Sequence, residues 1–198
     1  MGQRWTKKAL QDLALDVRRE IDAGPNSRLD LTQLAGEYGV PVYAMSDLGA
    51  SGCSTEALDH FTLRRPEAWS AALVPVGTAR LIVENCAHTL QRRRSNVAHE
   101  MSHLILEHEF EGILFADGGC RELGPEMAVK ERQASDLSGE LLIPMSAAIA
   151  AALAKKSDEE VAEQFDVSVR FAAWRMNASG ARKIAQRTLQ KRAAGSRR

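Results

Sequence analysis

The sequence predicts an α+β protein in which helices predominate and a small β-sheet packs against them. Apolar side chains recur every three or four positions over residues 5–22, a spacing typical of an amphipathic helix. Two β-prone runs, residues 70–76 and 79–84, flank a Gly-Thr pair, and this pattern predicts a hairpin. A second strongly helical stretch, with small and apolar residues on one side, covers residues 126–142. Long helices together with one hairpin indicate a mixed fold.

A change in composition at Pro144 predicts a domain boundary. Proline ends the preceding helix, and alanine-rich helical sequence follows it. We therefore expect a main domain over residues 1–144 and a helical subdomain with a basic tail over residues 145–198. Within the subdomain a capping box opens at Ser157, and Ser168 is positioned to cap the next helix, which is the spacing of a helix-turn-helix.

The remaining elements are shorter or less strongly patterned. A strand that carries a proline near its start is expected at a sheet edge, because proline cannot donate to a ladder. Three consecutive arginines before the next helix are expected in a solvated loop. In chain order, we expect a helix at 31–38, the edge strand at 40–45, a loop at 46–57, the arginine-containing connection at 85–94 and a helix at 95–108.

The overall charge does not indicate a nucleic-acid or membrane partner, since 26 basic side chains balance 26 acidic ones. Carboxylates are concentrated over residues 100–140, and basic residues over residues 182–198. The acidic segment would favour a cation or a basic substrate. The basic tail is expected to be a solvated end of the chain.

The cysteines indicate a reducing environment. Cys53, Cys86 and Cys120 are far apart, and they form no CxxC pair. We find neither a signal peptide nor an apolar run long enough to span a membrane. A cytoplasmic protein is therefore expected.

Residues 95–106 contain the motif H-E-x-x-H in an apolar, helical setting. His99 and His103 are four residues apart, so their imidazoles would lie on one face of a helix, one turn apart. Two such rings can bind one Zn²⁺ and leave Glu100 to act on a water at the metal. A surface helix that carries two histidines and a glutamate is the alternative, but the apolar setting favours a metal site.

A catalytic zinc site usually has three protein ligands, so a third ligand is needed. The longer motif H-E-x-x-H-x-x-G-x-x-H would require glycine at Leu106 and histidine at Glu109, and the chain has neither. His108 lies one position off this pattern and is expected to be a helix-end or surface histidine. Glu131 on the following helix is a candidate, although a surface glutamate is an equally good interpretation. Glu140, two and a half turns further on, is expected to face outward or toward a partner.

The motif helix and the helix after it resemble those of the ImmA/IrrE zinc metallopeptidases. That family has an A-H-E-h-[GS]-H helix, which is similar to Ala98-His99-Glu100-Met101-Ser102-His103. Its following E-x-x-A-N-x-F-A-A-E-L-L-M-P helix is similar to residues 131–144, where Ser135 replaces the usual asparagine or aspartate and Leu137 replaces phenylalanine. The hairpin before the motif is also similar, and the resemblance covers about residues 8–176.

The resemblance implies a zincin-like fold of the gluzincin type and a zinc-dependent endopeptidase activity. It identifies His99, His103 and Glu131 as zinc ligands and Glu100 as the general base. It also implies a protein substrate, a helix-turn-helix repressor of the Xre type, and hence a role in transcriptional regulation. Side chains that could stabilise an oxyanion by their chemical type are His88, Tyr38, Tyr43 and Arg92.

A second interpretation makes the chain a regulator that binds DNA or a repressor, with a zinc site that is sensory or structural. DNA would contact residues 157–198, where Arg170, Arg175 and the basic tail lie. The helix after Ser168 has few polar groups that could read base edges. DNA binding is therefore possible but not favoured.

Overall fold

The computed structural model describes residues 5–108 and 124–195. Several features named from the sequence lie outside these residues, including Cys120, Glu109 and the end of the basic tail. Much of the acidic segment lies outside them as well. The elements of the described residues are mostly helices.

In chain order, the regular elements are α1 (Lys7–Glu20), α2 (Leu31–Glu37), β1 (Val42–Ala44), α3 (Thr55–Asp59), β2 (Ala71–Val76), β3 (Ala79–Glu84), α4 (Leu90–Ile105), α5 (Pro125–Leu142), α6 (Met145–Leu153), α7 (Asp158–Phe165), α8 (Val169–Ala178) and α9 (Ala181–Gly195). The chain is therefore a mixed α+β protein, as predicted. Among the described residues, no single helix has both the length and the apolar composition needed to cross a membrane. Within the same described residues, one pair of helices, α5 and α6, meets both criteria when taken together across the bend between them.

Backbone contacts divide the chain into two compact units. One unit comprises Met1–Trp5 and Asp30–Ser138, and the other comprises Thr6–Leu29 and Gly139–Arg198. The domain boundary that the sequence suggests at residue 144 stays a prediction. The H-E-x-x-H motif lies in the first of these units.

In the part of the chain that the structure describes, the first unit contains a small three-stranded sheet. Among the described residues its strand order is β1-β3-β2, with β1 parallel to β3 and β2 antiparallel to it. Leu73 and Ile82 are paired in register, and both are buried. The predicted hairpin and the edge position of β1 are confirmed, although β1 is shorter than the predicted strand.

The segment predicted as a loop at residues 46–57 contains more regular structure than expected. A 3-10 helix covers Met45–Ser51, and α3 begins at Thr55. The Ser54 side chain accepts a hydrogen bond from Ala57 N at 3.2 Å and so caps α3. The loop prediction was wrong for these residues, because serine can cap a short helix as readily as it can occupy a turn.

Helix α4 starts and ends earlier than predicted, and the three arginines lie in its first turns instead of in a solvated loop. Thr89 caps the helix by accepting a hydrogen bond from Arg92 N. Arg93 Nε donates to Glu84 Oε2 at 2.7 Å, and Glu84 is buried at the end of β3. This ion pair ties the start of α4 to the sheet. The helix stops at Ile105 because the chain then turns through a positive φ.

The second unit contains α1, α6, α7, α8 and α9, and its core is formed by their apolar faces. The predicted capping box is present, since Ser157 Oγ accepts from Glu160 N at 3.2 Å and Glu160 Oε2 accepts from Ser157 N at 2.7 Å. Ser168 caps α8 by accepting from Phe171 N at 3.1 Å, as the sequence predicted. These caps fix the starts of α7 and α8. The buried apolar side chains include Ala14, Val17, Ala148, Val161, Phe165, Ala172, Met176 and Ala185.

The second unit also corrects the prediction for Glu140, which was expected to face outward or toward a partner. Its side chain is buried, and Glu140 Oε1 lies 2.5 Å from Arg175 Nη2. Glu140 Oε2 accepts from Met145 N at 2.8 Å, and Arg175 Nε donates to Ile143 O at 2.9 Å. The prediction was wrong because helical periodicity gives the face of a residue but not the element that covers that face.

Candidate metal centre

Helix α4 presents His99 and His103 on one face, one turn apart. Val97, Ala98 and Met101 on other faces of the helix are buried, so the core fixes the rotation of α4. The two Nε2 atoms lie 3.1 Å apart. The rings meet edge to face, with centroids 4.8 Å apart. The imidazoles therefore converge on one point, as the motif spacing predicted.

Glu131 reaches the same point from α5. Its Oε2 lies 3.1 Å from His99 Nε2, and its Oε1 lies 3.3 Å from His103 Nε2. Ala134 and Leu137, on the next turn of α5, are fully buried and hold the helix in place. The carboxylate that the sequence left undecided between a ligand and a surface group is therefore in contact with both histidines.

These three side chains have the geometry and the chemistry of a metal site. Their ligand atoms all lie within 4.8 Å of one another. Ligand atoms bound at about 2 Å to a tetrahedral ion are about 3.3 Å apart, which agrees with the separations in this cluster. Two imidazole nitrogens and a carboxylate oxygen are also a common donor set for zinc. The residues present therefore fit a divalent ion such as zinc.

The electrostatics of the cluster favour a bound cation. Hydrogen bonds from His103 and His99 hold the pKa of Glu131 well below its ordinary value, so this carboxylate is ionised. Burial lowers the pKa of His99, but the hydrogen bond to Glu131 and the charges of Glu100 and Glu131 outweigh it and raise the pKa overall. The raised pKa of His99 reflects the negative charge of the two glutamates, and the lowered pKa of Glu131 reflects the hydrogen bonds that the imidazoles donate to it.

Glu100 lies beside the cluster and contacts the sheet. Its Oε2 accepts a hydrogen bond from Leu73 N at 3.0 Å. Burial raises the pKa of Glu100, an effect that the neighbouring histidines and the hydrogen bond from Leu73 partly oppose. A carboxyl group with a raised pKa beside a candidate metal cluster is suited to accept a proton and return it.

His108 is not the surface histidine that the sequence suggested. It does follow the end of α4, but it is buried and its Nδ1 lies 3.0 Å from His103 Nδ1. Its Nε2 lies 3.2 Å from Gln133 Oε1 on α5. Sequence reasoning missed both contacts. Spacing on a continuous helix places His108 away from the metal face, whereas the helix ends before this residue.

Two of the side chains considered for oxyanion stabilisation have other partners. His88 Nε2 lies 2.8 Å from Pro66 O, and Arg92 Nη2 donates to Ser70 Oγ at 3.1 Å. Asn85 Nδ2 contacts the same segment, donating to the carbonyls of Phe61, Pro66 and Trp69. These contacts fasten the segment before β2, so His88 and Asn85 have a structural role there.

Comparison with known proteins identifies the family. No curated protein matches the chain. A family model of the M78 peptidases, described as the IrrE N-terminal-like domain, matches residues 35–177. This match covers more than half of the chain and includes α4 and α5, the helices that carry the histidines and Glu131. The chain therefore belongs to the ImmA/IrrE family of metallopeptidases, as its motifs predicted.

Proposed function

We propose that the chain is a zinc-dependent endopeptidase in which His99, His103 and Glu131 bind the metal. The observation that supports this proposal is the convergence of two Nε2 atoms and one carboxylate within 3.1–3.3 Å of one another. The metallopeptidase family of the chain agrees with it. A bound zinc ion supplies Lewis acidity, which activates water near neutral pH.

In this proposal Glu100 is the general base. It accepts a proton from the attacking water and returns it to the leaving amine. The hydrogen bond from Leu73 N occupies Oε2, which leaves Oε1 as the oxygen that takes the proton. The same hydrogen bond fixes the direction of the carboxylate, because the donor belongs to a strand of the sheet and not to a mobile side chain.

The position of β2 supports a polypeptide substrate. In the described sheet β2 lies at an edge, and Leu73 N points from that edge toward Glu100. A peptide that extends the sheet along β2 would bring its backbone next to Glu100. We propose that this peptide belongs to a helix-turn-helix repressor of the Xre type, as the resemblance to the family implies, and that cleavage relieves repression.

The alternative function, DNA binding through α8 and α9, receives less support from the side chains. Arg175, one of the two arginines of α8, is buried against Glu140 and is not available to DNA. Arg182, at the start of α9, pairs with Asp158. Salt-dependent binding of duplex DNA by the full chain would favour this alternative over cleavage.

The test compares the zinc-loaded wild type with Glu100→Gln. The substrate is a purified helix-turn-helix repressor encoded next to the gene for this chain. We expect Glu100→Gln to bind zinc with wild-type stoichiometry and to lose cleavage by about 100-fold or more, since general-base catalysis contributes about 10²–10⁴-fold. Gel electrophoresis and mass spectrometry of the products measure the rate and the cleavage site.

The matched control is Glu126→Gln, which makes the same chemical change at an exposed position of α5. It should retain both zinc and cleavage. A zinc-loaded Glu100→Gln variant that cleaves at the wild-type rate would exclude the general-base role. A variant that derepresses without cleavage would instead favour the sensory or structural role of the metal.

A further inference from the structure

We infer that His108, oriented by Gln133, is a positioning residue that fixes the ring and the tautomer of His103. The inference rests on the proposed metal site and extends it to a residue that contacts one of the ligands. The turn at the end of α4 brings the two histidines together. Glu107 adopts a φ of 52°, and His108 N donates to His103 O at 3.0 Å. The backbone thus turns just after the end of α4, and this turn brings the ring of His108 next to that of His103.

The contact between the two rings is specific. The His103 and His108 rings meet edge to face, with centroids 5.0 Å apart and the Nδ1 atoms separated by 3.0 Å. Two nitrogens at this distance require one hydrogen between them, so one ring donates and the other accepts. Which ring donates is decided by the next contact in the chain of hydrogen bonds.

Gln133 determines the direction of these hydrogen bonds. Its Oε1 can only accept, so His108 Nε2 carries a hydrogen and donates to it. In a neutral imidazole the other nitrogen is then bare, and His108 Nδ1 accepts. The donor to it is His103 Nδ1, so a neutral His103 carries no hydrogen on Nε2. That bare nitrogen is the atom that faces His99 and Glu131.

This arrangement of hydrogens leaves the lone pair of His103 Nε2 free to bind a cation. In this form His103 no longer donates to Glu131, and the lone pairs of Nε2 and the carboxylate oxygen lie 3.3 Å apart, which is favourable only when a positive charge lies between them. His103, His108 and Gln133 are all buried, with exposed fractions of 9%, 7% and 8%. Bulk water is therefore a poor substitute for the hydrogen-bond acceptor that His108 provides. Metal-bound histidines usually donate their second nitrogen to such a partner, which strengthens and orients the ligand.

The experiment compares His108→Phe, which removes the acceptor, with His108→Gln, which keeps one. Zinc affinity of the full chain is measured by competition with a chromophoric chelator, and the geometry of the site is measured from the visible spectrum of the Co²⁺ form. We expect His108→Phe to bind zinc about 10–100-fold more weakly than wild type, the usual cost of losing such a partner. His108→Gln should recover most of the affinity. His60→Phe, a histidine in the same unit outside the cluster, is the matched control and should bind as wild type.

A second measurement uses the wild-type chain and does not depend on the folding of a variant. Nitrogen-15 NMR of the zinc-loaded protein reports which ring nitrogen carries hydrogen. We expect hydrogen on Nδ1 of His103 and on Nε2 of His108. Wild-type zinc affinity in His108→Phe, or hydrogen on Nδ1 of His108, would overturn the inference. Absence of zinc binding by the wild type itself would instead overturn the proposed function.

Discussion

Two glutamates of the same helix, nine residues apart on α5, have different environments. Glu131 is 38% exposed and contacts two imidazole nitrogens. Glu140 is buried against the guanidinium of Arg175 and also accepts from Met145 N. A buried carboxylate needs a compensating charge, and Glu140 has one within the chain. In the part of the chain that the structure describes, Glu131 contacts two histidines, and we propose that a cation from outside balances its charge.

Arginine has a related structural function elsewhere in the second unit. Arg18 is fully buried, and its guanidinium donates to the carbonyl groups of Gly24, Ser27 and Leu141. Burial lowers the pKa of Arg18 to about 10. Like Arg175, it satisfies carbonyl groups near helix ends, where intrahelical partners are lacking. The buried charges of Arg18, Glu140 and Arg175 are thus satisfied within the second unit, whereas Glu131 in the first unit is available to a ligand.

The strongest test of this comparison is Glu131→Gln. It removes the charge of the proposed third ligand but keeps the shape of the side chain. We expect cleavage to fall to the level of a metal-free sample and zinc affinity to fall by more than about 100-fold, beyond the cost of losing an outer partner. Chelator competition and a cleavage assay measure both effects. Glu126→Gln on the same helix should change neither.

The stability of metal-free Glu131→Gln gives the contrasting measurement. We expect its free energy of unfolding in urea to lie within about 1 kcal/mol of metal-free wild type, since a half-exposed charge contributes little to stability. A large loss of stability without a loss of metal affinity would make Glu131 structural and would remove the difference between the two glutamates.

The sequence predicts the cluster around Glu131 better than the surroundings of Glu140, because part of the cluster depends on local helix geometry. His99 and His103 converge through local helix geometry, which four-residue spacing determines. Glu131 lies on a second helix, where its position made it a candidate ligand, and the resemblance to a family favoured that role over a surface glutamate. The partner of Glu140 is Arg175, 35 residues away in a different helix, and nothing in the periodicity of α5 indicates that pairing.

Local turns limited prediction in the same way. The role of His108 depends on Glu107, a residue with a side chain that does not favour a positive φ as glycine does. A continuous helix was therefore expected to residue 108, and the histidine was assigned to the helix end or to the surface. The early start of α4 was missed because Arg93 looked solvated, whereas its partner Glu84 is buried at the end of a strand.

Glu140→Gln should have the next largest effect, and it should act on stability alone. The variant leaves Arg175 buried with an uncompensated charge, which we expect to cost about 3 kcal/mol in the free energy of unfolding. Urea denaturation measures the loss. Asp158→Asn, which breaks a more exposed pair with Arg182, should cost less than about 1 kcal/mol. Zinc affinity of Glu140→Gln that differs from wild type by more than a few fold would contradict the separation of the two roles.

The coupling between Glu140 and Arg175 is expected to be smaller than the loss in Glu140→Gln, and a double-mutant cycle measures it. Arg175→Met removes the cation but fills much of the same volume, and alone it leaves Glu140 without its charge partner. The double variant Glu140→Gln, Arg175→Met contains neither charge, so we expect it to be about 2 kcal/mol more stable than the sum of the single losses predicts. The hydrogen bond that Arg175 donates to Ile143 O is lost in Arg175→Met and in the double variant alike, and any change in the bond from Met145 N accompanies Glu140→Gln in both backgrounds, so both contributions cancel in the cycle. Additive losses would mean that the pair is not an electrostatic unit. Glu140 would then be buried at a cost that the chain does not offset internally, and it could no longer serve as the structural counterpart of Glu131.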